Sequence, residues 1–204
     1  MSRKQHWEKI YSASSENEFS WYQEHPDVSL GLIKKSGISH DDKIIDIGGG
    51  ASTLADNLLF LGYKKISVLD ISLNAINLAK IRLKQQSDLI KWIVADITSF
   101  TPYDSYSLWH DRAVFHFLTT LKDQQKYVAT LQRSLNQDGT VIIAAFAPDG
   151  PSMCSGLNIR KYDSDSLSRV LGNNFTLKEE IAETHITPKR IRQQFNYYRF
   201  IYTG

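Results

Sequence analysis

Short, almost wholly apolar runs alternate along this chain with longer segments whose apolar residues recur every three or four positions. The first runs are Lys43-Ile44-Ile45-Asp46-Ile47, Lys65-Ile66-Ser67-Val68-Leu69-Asp70 and Lys91-Trp92-Ile93-Val94-Ala95-Asp96. A run of this length, bounded by glycine or turn residues, predicts a buried strand, and a period near 3.6 between runs predicts an amphipathic helix. Leu54, Leu58 and Leu61 mark the first connecting helix, which Gly62 closes, and Leu73, Ile76, Ala79 and Leu83 mark the second. Strand, helix, strand, helix, strand at this spacing predicts a parallel, doubly wound α/β sheet with right-handed crossovers.

The pattern continues beyond the third run. Tyr106 to His110 reads as a fourth strand, leading into Asp111-Arg112-Ala113-Val114-Phe115-His116. A helix over Gln124 to Leu135 ends at the turn Asn136-Gln137-Asp138-Gly139. The fifth strand, Thr140 to Phe146, is nearly all apolar and therefore central. After a polar loop, a helix runs to Leu171 from a cap at Asp163 or Ser164. Phe175 to Glu183 and Gln193 to Tyr202 alternate as two last strands, and with no crossover helix between them they form an antiparallel hairpin. Ahead of the first strand lie a short helix over Gln5 to Tyr11, the aromatic cluster Phe19-Ser20-Trp21-Tyr22, and a helix from Pro26-Asp27 to Gly37. That cluster reads either as a flap packed on the core or as a lid over a ligand. The expected architecture is one domain with a seven-stranded, mostly parallel sheet ending in a hairpin. Residues 1–40 form a helical lid, 41–146 the binding core, and 147–204 a substrate loop and the hairpin.

Composition narrows the function classes. A chain of 204 residues, 42% hydrophobic, can bury one sizeable core. A net charge of +2 with scattered basic residues does not suit nucleic acid. No apolar stretch is long enough to cross a bilayer, and the first ten residues lack an apolar signal core. A single cysteine, Cys154, excludes an internal disulfide and suits a reducing cytoplasm. No metal site is expected.

The chemistry concentrates where the first strand meets Gly48-Gly49-Gly50. Glycines at a strand-to-helix turn let the backbone approach a ligand closely, and the following helix start offers free N–H groups. A nicotinamide-binding turn would place glycine at the sixth position from Gly48, where Thr53 stands, and a P-loop would need a lysine that this turn lacks. Asp46, two residues before the glycines, would repel a pyrophosphate and attract a cation. Asp70 and Asp96 likewise end or follow their strands, at the edge where open α/β sheets bind ligands. An ammonium or sulfonium ligand with ribose hydroxyls suits these charges.

These residues resemble the class I S-adenosylmethionine-dependent methyltransferases, in the form of a small bacterial-type methyltransferase domain with a Rossmann-like fold. The family's opening motif, an acid followed by Gly-x-Gly-x-Gly, is matched by Asp46-Ile47-Gly48-Gly49-Gly50-Ala51-Ser52, with Ser52 in place of the last glycine. The resemblance implies that Gly48, Gly49, Gly50 and Ser52 shape the methionine site and that Asp46 meets its amino group. It implies that Asp70 accepts from the ribose hydroxyls, that Asp96 meets the adenine amino group, and that Ile71 and Ile97 wall the ring.

Methyl transfer requires alignment, exclusion of water and, for some nucleophiles, a base. The end of strand four offers His110, Asp111 and His116 as acid–base groups and Arg112 as an anion clamp. Against this, His116 between two phenylalanines also reads as a core histidine, and Asp111-Arg112 as an internal ion pair. The Asp-Arg-Ala element is similar to one in thiopurine methyltransferase-like enzymes, whereas the opening Trp7, Tyr11, Phe19, Trp21 and Tyr22 looks like the start of protein lysine methyltransferases. The Asn/Asp-Pro-Pro-Tyr element of nucleobase amine methyltransferases is absent after strand four. A small-molecule acceptor is the favoured expectation, a protein lysine the alternative, and a catalytically inactive cofactor-binding scaffold a third. A nicotinamide oxidoreductase is disfavoured by the turn.

Overall fold

The computed structural model describes residues 1–13 and 15–204. In chain order the elements are helices α1 (Arg3–Ala13) and α2 (Asp27–Lys35), strand β1 (Lys43–Ile47), α3 (Leu54–Phe60), β2 (Lys65–Asp70), α4 (Leu73–Leu83), β3 (Ile90–Val94) and β4 (Tyr106–Arg112). Then follow α5 (Leu121–Ser134), β5 (Leu135–Phe146), a two-stranded hairpin of β6 (Met153–Cys154) and β7 (Leu157–Asn158), α6 (Ser164–Leu171), β8 (Phe175–Ile186) and β9 (Arg192–Tyr202). The seven-stranded sheet has the order β3-β2-β1-β4-β5-β9-β8. Its first five strands are parallel, and β9 inserts antiparallel between β5 and β8.

Alternation along each strand divides the core into two layers. Ile45, Ile47, Trp109, Val141 and Ile143 face one side with Tyr127 and Leu131 of α5 and Leu167 of α6. Ile44, Val68, Leu108 and Ile142 face the other with Leu32 of α2 and Leu54 and Leu58 of α3. The chain winds outward from β1 in one direction through β2 and β3, and in the other through β4 and β5. The crevice between the carboxyl ends of β1 and β4 is therefore the topological switch point, where such sheets open to a ligand.

The expected sheet and terminal hairpin are present, with several local differences. The turn after Gly48 extends to Thr53, so α3 starts at Leu54. Helix α5 starts three residues before the expected Gln124, at Leu121, because the Thr120 hydroxyl accepts the Asp123 N–H at 3.2 Å and caps it. Strand β4 continues to Arg112, and Ala113 then turns at φ +71°. The expected turn at Asn136–Gly139 lies inside β5. Pairing with β4 jumps from Tyr106 opposite Leu135 to Leu108 opposite Thr140, so residues 136–139 loop out, with Asp138 at φ +60°. The β6–β7 hairpin within the polar loop was not expected, since two-residue strands carry no periodic signal.

The N-terminal segment is docked on the core. The Glu8 carboxylate accepts from Ser72 Oγ at 2.8 Å and from the N–H groups of Leu73 and Asn74 at 2.9 and 3.1 Å, capping the start of α4. Arg3 donates to Asp96 at 3.2 Å and to Asp123 at 2.9 Å, and His6 Nε2–H donates to the Ser155 carbonyl at 3.0 Å. Behind these polar contacts, Phe19 stacks on Trp21 with centroids 4.9 Å apart, and Trp7 and Tyr11 pack edge-on or tilted against them. Among the described residues no helix is long and apolar enough to cross a membrane.

Candidate active site

The turn after β1 is built around missing side chains. Gly48 sits at φ +68°, and a Cβ there would lie 2.1 Å from Val114 Cγ2, so only glycine fits. A Cβ on Gly49 would lie 2.2 Å from Asp46 Oδ2, and one on Gly50 2.4 Å from Asp70 Oδ2. Two acid side chains thus press against the backbone of the turn.

Asp46 is buried. Its Oδ1 accepts from His110 Nδ1 at 2.7 Å, and His110 Nε2 lies 2.9 Å from Ser29 Oγ. Asp46 Oδ2 is buried and has no hydrogen-bond partner. Such an orphaned carboxylate oxygen calls for a donor, ideally a cationic one. Asp70 is also buried and accepts the N–H groups of Ser72, at 2.8 Å, and Gly50. Burial nevertheless pushes its carboxyl up to about 7, and the charges of Asp46 and Glu8 push the same way. Asp96, two residues past β3, accepts from Thr98 N–H and Oγ1–H at 2.9 and 2.8 Å and from Arg3.

Gly48, Asp70, Ile71, Asp96 and Ile97 line one cavity at this sheet edge, under Trp7, Tyr11 and Trp21. Asp46, Gly49, Ser52 and His110 line an adjoining hollow that shares Gly48 and Arg112 with the first. Gly50 lines neither and sits behind Asp70. The nine residues expected around the ligand therefore converge on one edge, from segments up to about fifty positions apart.

The strand-four residues divide by alternation. His110 and Arg112 share the side of Leu108, while Asp111 shares the side of Trp109 and faces α5. The expectation of Asp111 as an acid–base group at the ligand is not met geometrically. Its Oδ2 accepts from Tyr127 Oη at 2.7 Å, and its Oδ1 accepts the N–H groups of Val114 and Phe115 at 2.9 and 3.3 Å. Tyr127 Oη in turn accepts from Trp109 Nε1 at 2.8 Å. Burial pushes the Asp111 carboxyl up to about 6 against these donors. Nor do Asp111 and Arg112 form an ion pair, because adjacent strand residues point to opposite faces. His116 lies outside both hollows, fully buried, its ring 4.4 Å from that of Phe117 and 5.1 Å from that of Phe146. Neither ring nitrogen has a partner, and burial lowers its pKa to about 3. It takes the place of the core histidine. His110 is held between Asp46 and Ser29, so its place in the wall of the hollow is that of a group positioning the acid.

Arg112 alone of the four presents a charge to the cavity. Its Nε donates to Tyr197 Oη at 2.8 Å and its Nη1 to the Trp21 carbonyl at 3.1 Å. Residues that the sequence reading passed over are Arg3, Glu8, Ser29, Tyr127 and Glu183. Their partners lie 14 to 160 positions away, so no local pattern marks them.

Residues 38–202 match a family described as a methyltransferase domain. The eEF1A lysine and N-terminal methyltransferase of Bos taurus is 25% identical over 138 residues, covering 67% of this chain and 19% of that protein. Its Danio rerio counterpart is 31% identical over 67 residues, covering 33% of this chain and 9% of that protein. The chain thus spans less than a fifth of the length of these relatives. Among solved structures, the N-methyltransferase NodS from Bradyrhizobium japonicum bound to S-adenosyl-L-homocysteine superimposes with a TM-score of 0.74 at 16% identity, covering 100% of both chains. A structure described as converting a disulfide bond into a thioacetal group during echinomycin biosynthesis gives 0.80 at 17% identity, covering 99% of this chain and 92% of that one. The glycopeptide N-methyltransferase MtfA gives 0.70 at 12% identity, covering 95% of each. At these identities the likeness is one of fold.

Two stability predictions follow from the buried groups. Asp111→Asn turns an amide N–H₂ toward Tyr127 Oη, which already accepts from Trp109, so urea unfolding should show a loss of about 1–3 kcal/mol. For His116 the folded pKa lies below the unfolded one, so between about 3 and 6.5 only the unfolded chain takes up the proton and stability falls as pH falls. Measured from pH 7 to 5, His116→Phe should gain about 2 kcal/mol relative to the native chain, because it lacks this proton uptake. A pH-independent difference between the two would contradict the sealed neutral ring.

Proposed function

Because the chain belongs to the methyltransferase-domain family, we propose that it transfers a methyl group from S-adenosylmethionine to a small-molecule acceptor. The observation that carries the donor side is the buried, partnerless Oδ2 of Asp46 beside a turn where two further Cβ atoms would strike carboxylates. Asp46 would hold the donor's amino group, Asp70 its ribose hydroxyls and Asp96 its adenine, with Ile71 and Ile97 against the ring. Bound there, the donor supplies a sulfonium-activated methyl group. The chain's own contribution is to position and to exclude water. Gly48 lets the backbone come close, His110 and Ser29 orient Asp46, and Trp7, Tyr11 and Trp21 roof the cavity.

The acceptor reading rests on what surrounds the cavity. Its far side is walled by Phe117, Phe146 and Phe195 and reached under the aromatic roof, which suits a compact apolar molecule. Two structures sharing the fold are N-methyltransferases by their names, NodS and the glycopeptide enzyme MtfA, neither of them named for a protein lysine. The eEF1A-directed relatives favour a protein lysine as the second reading. A lysine would need an acid to take its proton, and Asp111 faces α5 instead. The full set of Asp46, Asp70 and Asp96 speaks for turnover over a scaffold role. One unpaired cysteine, Cys154, supports action in a reducing cytoplasm.

Titration calorimetry should show binding of S-adenosylmethionine and S-adenosylhomocysteine and none of a nicotinamide dinucleotide. Asp70→Ala should weaken S-adenosylhomocysteine binding by about 1–3 kcal/mol through lost charge-assisted hydrogen bonds. An unchanged dissociation constant in a folded variant would refute the ribose role. With tritiated methyl donor and a cell lysate, label should appear in the small-molecule filtrate. Label confined to precipitated protein would favour the lysine reading.

A further inference from the structure

The sheet order spreads charge unevenly along the cavity. Asp96, Asp70 and the Gly48 turn follow β3, β2 and β1, so the negative groups, with Arg3 paired to Asp96, occupy one end. Past β1 lies Arg112 on β4, followed by Phe146 on β5 and Phe195 on β9. At this second end Arg112 carries the one formal charge among the described lining residues. Its guanidinium is held by Tyr197 and by the Trp21 carbonyl, and its carbon lies 4.6 Å from the Phe195 ring centre. Its Nη2 makes no hydrogen bond. Nη2 faces Glu183 Oε2 at 3.9 Å, an ion pair without a hydrogen bond, and the Glu183 carboxylate already accepts from Tyr197 Oη and Gln23, each at 2.8 Å. A guanidinium fixed at two nitrogens, with the third held in a long ion pair and free of hydrogen bonds, is a prepared anion site.

Among the described lining residues, this end offers no base. Asp111 faces α5, His110 is held by Asp46 and Ser29, and His116 is sealed behind Phe117 and Phe146. Tyr11 and Cys154 also line the cavity, but burial pushes both above their ordinary pKa values, so they keep their protons. An alcohol or ammonium acceptor would find nothing to take its proton, and an ammonium would face Arg112. The approach carries the same sign. A groove sharing Ser20, Trp21 and Gln193 with the cavity reaches the β8–β9 tip, where Lys189 lines it and Arg190 and Arg192 are exposed beside it. Glu18 is the acid on its wall.

We propose that the acceptor is a small carboxylate, seated with one oxygen on Arg112 and methylated on the other, an inference that rests on the methyltransferase reading above. A lone pair of the free oxygen forms the O–CH₃ bond as the S–CH₃ bond breaks and its electron pair stays on sulfur. The carboxylate becomes a neutral ester, the sulfonium a neutral thioether, and no proton moves. Two opposite charges vanish together, so an apolar, water-poor site favours the step without a base.

The test titrates phenylacetate, phenylacetamide and phenethylamine into protein saturated with S-adenosylhomocysteine. The acid should bind and the amide and amine should not. Arg112→Met should weaken the acid by about tenfold or more, and Arg112→Lys should recover part of the loss. Native-like circular dichroism and an unchanged urea midpoint show that the variants are folded, and the acid–amide comparison needs no variant. With tritiated methyl donor and phenylacetate or 3-phenylpropionate, alkali should release the label as volatile methanol. Acid and amide binding alike, alkali-stable label on the amine, or no alkali-labile label from either acid would overturn the proposal. Failure of the native protein to bind S-adenosylhomocysteine would instead sink the donor reading beneath it.

Discussion

Two carboxylates, Asp46 and Asp70, are buried at one end of the sheet with fewer donors than their charge calls for, and much of the surrounding structure is arranged to tolerate them. An ionised carboxylate taken from water costs several kcal/mol unless donors replace the lost hydration. Asp46 recovers part of this through His110, which Ser29 holds from the far side, and Asp70 through the N–H groups of Ser72 and Gly50. The glycine turn is the geometric condition for both, because any Cβ at Gly49 or Gly50 would occupy the space of an acid oxygen. What remains unmet, one oxygen of Asp46 and a carboxyl at Asp70 raised to about 7, is a stored preference for a ligand that brings positive charge and hydroxyl donors.

The alternation of β4 then apportions roles among neighbours. With Leu108 and Trp109 committed to opposite layers, His110 and Arg112 face the ligand side, while Asp111 turns to Tyr127 and braces the turn into Val114 and Phe115. The brace also sets Val114, whose methyl group fills the space above Gly48. A strand that looks like a cluster of catalytic candidates thus sends half of its side chains to the hollows and half into the packing against α5. The same N-terminal segment that roofs the cavity is tied to the cofactor edge through Arg3 on Asp96 and Glu8 on the start of α4, next to Asp70. Helix α1 therefore contributes both to the roof, through Trp7 and Tyr11, and to the charges beside Asp70 and Asp96, through Glu8 and Arg3.

The succession of strands along the chain, the parallel core and the closing hairpin were legible in the sequence because each apolar run has a period and each boundary a glycine or a cap. Asp46, Asp70 and Asp96 were legible for the same local reason, since each ends or follows its strand. Their convergence follows from a parallel sheet bringing strand ends to one edge. The start of α5 and the bulge at residues 136–139 escaped because a single hydroxyl cap and a register slip leave periodicity unchanged.

The sequence by itself determined which residues reach the ligand edge and that the edge is acidic, because strand ends and turn glycines are properties of a few consecutive positions. The tertiary structure alone decided which side chains are free to act there. His116 lost its partners to burial between Phe117 and Phe146, Asp111 was taken by a tyrosine on another element, and Arg112 kept one nitrogen free of hydrogen bonds where Trp21 and Tyr197 hold the others. Availability depends on neighbours distant in the chain, and no local pattern records them.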